Sequence, residues 1–166
     1  MKQSLSSWNT RFSSPAYWIA VGFGSGLLRP APGTWGSLAA LAIAHLFYEI
    51  GIGATELFVI IIAATVIGTY AIDHIERETG VHDAPEIVID EFAGQWLALL
   101  PLFYSVASIE KIIAAFVLFR IFDIWKPYPI GWLDRKVSGG FGVMVDDLVA
   151  GVYALICLEV ITYLFI

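Results

Sequence analysis

At 166 residues the chain has room for one domain, and its composition is 58% hydrophobic and 14% charged, with mean hydropathy +0.78. A soluble domain is roughly 45–50% apolar and about 25% charged, so both departures point to a membrane protein. A net charge of −6 argues against nucleic acid as a partner, which needs a basic surface, and a single cysteine, Cys157, rules out an internal disulfide framework.

The amino-terminal stretch MKQSLSSWNTRFSSPAYW has no apolar run behind its basic residues and does not read as a signal peptide. Five apolar stretches follow, at about Trp35–Tyr48, Leu57–Ile72, Ile87–Leu102, Ile109–Trp125 and Leu148–Ile166. Several fall short of the ~20 residues of a simple span, so they are expected to tilt little, thin the bilayer or enter part way. The third carries polar residues and is left open between a span and a re-entrant segment. Open strands cannot satisfy their edges in lipid. The expected fold is all-α: a polytopic membrane helical bundle of about four to five short hydrophobic helices, with residues 1–166 forming one membrane-embedded domain. Cys157, inside the last stretch, reads as a plain buried residue.

Charge sets the orientation. With the amino terminus in the cytoplasm, the inner side holds Lys2, Arg11, Arg29, Arg77, Arg120, Lys126, Arg135 and Lys136, and the outer side only Lys111. That bias is the positive-inside pattern. Most acidic residues fall on the inner side too, with Glu49, Glu56 and Glu110 outside and Glu159 in the last stretch. Function is therefore expected at the cytoplasmic membrane surface.

Four blocks hold the residues able to do chemistry. In HDAPEIVIDEFAGQ, Asp83 and Glu86 have capping-box-like spacing before an apolar run. A helix starting there places Asp90 and Glu91 a turn or more inside, where carboxylates cost roughly 2.5–3.5 kcal/mol each and mark function. In FRIFDIWKP, Arg120 and Asp123 stand at i, i+3. They form either an internal salt bridge with Lys126 snorkelling at the helix end, or a site where Arg120 and Lys126 hold phosphate. In VSGGFGVMVDD, Gly139, Gly140 and Gly142 leave the backbone free to approach an anion. Asp146 and Asp147 follow at the expected start of the last helix, where one carboxylate suffices as a cap. In RPAPGTWGS, Arg29, Thr34 and Ser37 stand at the mouth of the first stretch, as helix caps or phosphate contacts. Acidic groups beside basic groups beside glycines suggest a metal bridging carboxylates to phosphate, and hard oxygen ligands suit Mg²⁺. His45, His74 and His82 show no zinc spacing and read as structural or peripheral.

Taken together, RPAPGTWGS, IVIDEFAGQW, FRIFDIWKPYPI and GGFGVMVDDLVAG resemble the phosphatidylglycerophosphatase A family, in order and over nearly the whole chain. The resemblance implies a Mg²⁺-dependent phosphatase of the bacterial inner membrane that converts phosphatidylglycerophosphate to phosphatidylglycerol. It is multi-pass, with its active site facing the cytoplasm and membrane lipid as its partner. The matching positions are Asp90 and Glu91; Arg120, Asp123, Lys126 and Pro127; and Gly139, Gly140, Asp146 and Asp147. The resulting expectation has Asp90, Glu91, Asp146 and Asp147 holding metal, with Asp123 joining the catalytic carboxylates. Arg29, Thr34, Arg120, Lys126, Gly139 and Gly140 contact substrate. Two alternatives stand beside it: another lipid-phosphate enzyme, which lacks support from any spread Asp signature or histidine pattern, and a small cation transporter, to which Glu159 is the best-suited residue.

Overall fold

Proline and glycine punctuate this chain, and the helices form between them. The computed structural model describes residues 3–104 and 108–165; Lys2 and Ile166, both used above, lie outside these. Two 3₁₀ turns, Leu5–Ser7 and Arg11–Ser13, lead to α1 (Pro15–Ala20) and a further 3₁₀ segment, Gly22–Leu27. Then come α2 (Pro32–Glu49), α3 (Ala54–Thr79), α4 (Ile89–Leu99, continued by a 3₁₀ turn to Phe103), α5 (Ile109–Trp125), α6 (Ile130–Lys136) and α7 (Gly139–Phe165). Among the described residues there is no strand.

Each boundary has a local cause. Pro32 starts α2, where its missing N–H costs nothing. Gly80, left-handed at φ 67°, ends α3 and returns its N–H to the Glu76 carbonyl. The Ser108 hydroxyl caps α5 by accepting from the Lys111 N–H at 3.4 Å. Pro127 and Pro129 stop α5 from continuing.

The core is organised around α4. Its sequence is apolar all round, and every residue but Glu91 is buried. It packs against α2, α3, α5 and, most extensively, α7. Glycine permits the closest approach: a Cβ on Gly94 would stand 2.6 Å from the Asp147 carbonyl oxygen, and Gly151 lies against the Gly94 backbone. The outer helices present the opposite pattern. Val59, Ile62, Val66 and Tyr70 of α3, Ile113, Val117, Ile121 and Ile124 of α5, and Val152, Ile156, Val160 and Tyr163 of α7 are all exposed, at helical spacing. Stripes of this size are not left bare to water. Both α3 and α7 are long and apolar enough to cross a membrane, and only 28% of the apolar window of α3 is buried within the protein, so it is not a core helix.

Several boundaries differ from those read in the sequence. Helix α4 begins at Ile89, not near Asp83, so Asp90 and Glu91 occupy its first turn rather than its interior. The preceding residues are held in turns: the Ile87 N–H bonds the Ala84 carbonyl, the Val88 N–H bonds the Ala20 carbonyl, and Asp83 is left-handed at φ 47°. Glu86 is therefore no helix cap. At the other end of the chain, α7 begins at Gly139, so Asp146 and Asp147 lie two turns inside it and cap nothing. The cause is a cap supplied by another helix. Asp73 of α3 accepts the Gly140 N–H at 2.5 Å, and a side chain at Gly140 would overlap the Thr69 carbonyl. Neither Thr34 nor Ser37 caps α2; Ala31 precedes it without a side-chain bond, and the Ser37 hydroxyl donates back to the Gly33 carbonyl at 2.9 Å. Cys157 is half-buried, not buried.

Gly94→Ala gains up to about 1 kcal/mol in helix propensity. It also forces a methyl group onto the Asp147 carbonyl and the Phe119 ring, neither of which is a flexible tip. Overpacking costs about 1–3 kcal/mol and wins. The expected outcome is a lower thermal midpoint for the detergent-solubilised variant, followed by circular dichroism.

Candidate functional site

One cavity, of about 290 Å³, gathers the ends of several helices. Its lining draws on the start of α2 (Pro32, Gly33), the α3–α4 connection (His82 to Ile87) and the start of α4 (Asp90, Glu91). The end of α5 (Arg120 to Lys126), Asp134 of α6 and the first turns of α7 (Gly142 to Asp147) complete it. Seven carboxylates face two cations, Arg120 and Lys126. Such an excess of negative charge in a partly dry space is unfavourable unless carboxylates take up protons or a further cation enters.

The carboxylates divide into two kinds. Asp90, Glu91 and Asp147 bring one oxygen each to within 4.8 Å of one another. Asp90 Oδ1, Glu91 Oε2 and Asp147 Oδ2 are buried and have no hydrogen-bond partner. A buried oxygen without a donor costs about 1–3 kcal/mol, more when charged. Three carboxylates this close, each with a buried oxygen that lacks a donor and all hard ligands, fit a divalent cation of the Mg²⁺ type. The other kind is already paired. Asp123 forms an ion pair with Arg120, its i, i+3 neighbour on α5. Asp146 accepts from Lys126 Nζ at 2.5 Å, and Asp134 accepts from the same ammonium at 2.7 Å. Asp146 was expected among the metal-holding residues; the structure engages it with Lys126, outside the group of three.

Arg120 is held on three sides. Besides Asp123 it stands 4.0 Å from Glu91 Oε1 and donates to Ser37 Oγ at 3.4 Å, while its Nε has no partner. Its guanidinium lies against the Gly33 backbone, where a Cβ would also collide with the Glu91 carboxylate. Lys126 sits at the end of α5 in the left-handed region, φ 45°. Burial disfavours its charge, but the hydrogen bonds it donates to Asp134 and Asp146 outweigh burial and raise its pKa above the ordinary lysine value. Lys126 is thus a fixed cation, turned inward rather than snorkelling.

Other expected contacts lie elsewhere. Arg29 pairs with Glu86 at 3.1 Å, and Glu86, which is buried, also binds the Ser4 hydroxyl and the Leu5 N–H. Thr34 does not line the cavity, and Gly139 and Gly140 lie against Asp73 and Thr69 of α3. Glu159 is exposed and does not line the cavity. Sequence reasoning passed over Gly33, Ser37 as the Arg120 contact, His82 and Asp134. Gly33 and Ser37 stand in the RPAPGTWGS block, where the sequence marks Arg29, Thr34 and Ser37 as caps or phosphate contacts but gives no sign that Ser37 meets Arg120. His82 bonds Glu76 at 3.1 Å and stands at the cavity. For Asp134, in an unremarkable WLDRK segment, only the fold supplies the signal.

The family model for phosphatidylglycerophosphatase A matches residues 18–162. This chain belongs to the phosphatidylglycerophosphatase A family. Among relatives, a phosphatidylglycerophosphatase A from Haemophilus influenzae is 41% identical over 150 residues, covering 90% of each chain. One from Escherichia coli is 43% identical over 143 residues, covering 86% of this chain and 80% of the relative. A Bacteroides thetaiotaomicron protein, 38% identical over 146 residues, covering 86% of this chain and 90% of the relative, bears the provisional name phosphatidylinositol-3-phosphatase. No solved structure gives a significant match.

Replacing Asp147 by Asn removes one of three mutually repelling carboxylates that has no cation of its own. In EDTA the variant is expected to melt above the unaltered protein by the equivalent of about 1–3 kcal/mol, whereas Mg²⁺ or Mn²⁺ raises the midpoint of the unaltered protein and leaves that of the variant unmoved. Thermal melts in detergent, with and without the metal, check both.

Proposed function

We propose that this chain is a phosphoric monoester hydrolase that removes the terminal phosphate of phosphatidylglycerophosphate, giving phosphatidylglycerol and inorganic phosphate. It works as a multi-pass protein of the bacterial inner membrane with the cavity at the cytoplasmic face. The observation that carries the reading is the juxtaposition of three carboxylates, each with one buried oxygen lacking a hydrogen-bond partner, with two cations in one cavity. Family membership supports the substrate. The names of the relatives differ in headgroup but agree on a lipid phosphomonoester. The lysine and arginine bias supports the orientation, and the outward apolar stripes support insertion in lipid.

Asp90, Glu91 and Asp147 hold Mg²⁺, which when bound supplies Lewis-acid polarisation of the phosphoryl group. The remaining work belongs to the chain. Arg120, braced by Asp123 and Ser37, lines the cavity as a fixed positive charge for phosphoryl oxygens and is spared rearrangement as charge develops there. Lys126 adds a second fixed positive charge at the end of the same helix. A cavity carboxylate outside the group of three, Asp123 or Asp146, accepts the proton of the attacking water. Pro32, Ile124, Val137 and Val143 give the cavity apolar lining beside its polar floor, which suits a headgroup still attached to its lipid.

Phosphate release from phosphatidylglycerophosphate in mixed micelles tests the reading. Activity is expected to vanish in EDTA and return with Mg²⁺. Asp90→Asn, Glu91→Gln and Asp147→Asn are each expected to lose at least about 10²-fold in kcat while remaining monodisperse. Near-normal turnover in all three would reject the assignment.

A further inference from the structure

Asp134 has no assigned role and does not belong to the group of three carboxylates, yet it sits on the cavity wall with its oxygen on Lys126. The construction around that lysine is specific. The left-handed backbone at Lys126 turns the chain, Pro127 and Pro129 follow, and α6 folds back so closely that the Gly131 N–H reaches the Lys126 carbonyl at 3.2 Å. A Cβ at Gly131 would stand 2.7 Å from that oxygen. The fold-back brings Asp134, one turn further on, to 2.7 Å from Lys126 Nζ, opposite Asp146 at 2.5 Å. The two carboxylates are unequal. The Asp146 side chain is 5% exposed and that of Asp134 is 38% exposed. Breaking the Asp146 contact strands a buried charge, whereas Asp134 can rehydrate when released.

We propose that Asp134 is a displaceable counterion of Lys126: it occupies the ammonium while the cavity is free of anion, and yields it to a phosphomonoester dianion, while Asp146 keeps Lys126 in place. This rests on the phosphatase reading for the identity of the anion. Asp134 then acts as a positioning residue that weakens anion binding by competition and by its own negative charge. Because the helix end and Asp146 both fix Lys126, losing Asp134 should not misplace the ammonium. The same group favours departure of the product, inorganic phosphate, since the carboxylate is ready to reclaim Lys126.

The test uses the full chain in detergent with Mg²⁺, comparing the unaltered protein with Asp134→Asn, Asp134→Ser and Asp134→Glu. Inorganic phosphate binding is followed by calorimetry. KM and kcat are measured on a lipid phosphomonoester, with a phosphodiester lipid as the control for lipid binding alone. Removing a like charge a few ångströms from the anion is expected to tighten phosphate about five-fold and to lower KM in parallel without raising kcat. Asp134→Glu should restore the original values, and the phosphodiester lipid should bind all four proteins alike. Equal or weaker phosphate binding in both neutral variants would overturn the proposal, as would a KM change mirrored by the phosphodiester lipid. Tighter phosphate in a protein that hydrolyses no lipid phosphomonoester would uphold the counterion and reject the phosphatase reading instead.

Discussion

Burial of α4 is the constraint from which the site follows. A helix enclosed on all sides by other helices packs closely when it is mostly apolar, and apart from the buried Gln95 the polar residues of α4 are its two carboxylates, gathered where the enclosure opens. Asp90 and Glu91 stand at that opening, in the first turn, where the helix dipole favours negative charge. The dipole is far too weak to offset two carboxylates plus Asp147, since it contributes about 0.3–1 kcal/mol at such a terminus. The balance has to come from outside the helix, as protons taken up by the carboxylates or as a cation. The arrangement that leaves these carboxylates poorly compensated is the one that suits them to hold a divalent ion.

The glycines at the α4–α7 crossing serve the same end. Gly94 and Gly151 bring the two backbones together, and that closeness carries Asp147 to within reach of Asp90 and Glu91. Gly33 does the equivalent for α2, letting its first turn lie against the Glu91–Arg120 pair. Small residues here act at a distance, by deciding where carboxylates from three different parts of the sequence meet.

Much of this was legible in the sequence. The fourth apolar stretch coincides with α5, and the carboxylate, arginine and lysine blocks reach one cavity, because intramembrane charge is too costly to be incidental. What was not legible depended on contacts between distant residues. Helix α7 starts nine residues before its apolar run because Asp73, on another helix, caps it. The α4 start was placed too early because the Asp83–Glu86 spacing imitates a cap, whereas Glu86 is spent on Arg29, Ser4 and Leu5. The division of labour between Asp146 and Asp147 is invisible in an Asp-Asp pair: adjacent residues on a helix diverge by about 100°, and only the position of the α5 end decides which of them meets Lys126. Asp134 could be found only from the fold.

The described residues ahead of α2 line no part of the cavity, yet they hold the chain that leads into α4. Glu86 fastens Ser4, Leu5 and Arg29, and the Ala20 carbonyl takes the Val88 N–H one residue before α4 begins. The register in which α4 enters the bundle is therefore set in part by chain that precedes the first long helix. Trimming this segment, or crowding it with a fused tag, would loosen the footing of the turn that carries Asp90 and Glu91 without touching either carboxylate.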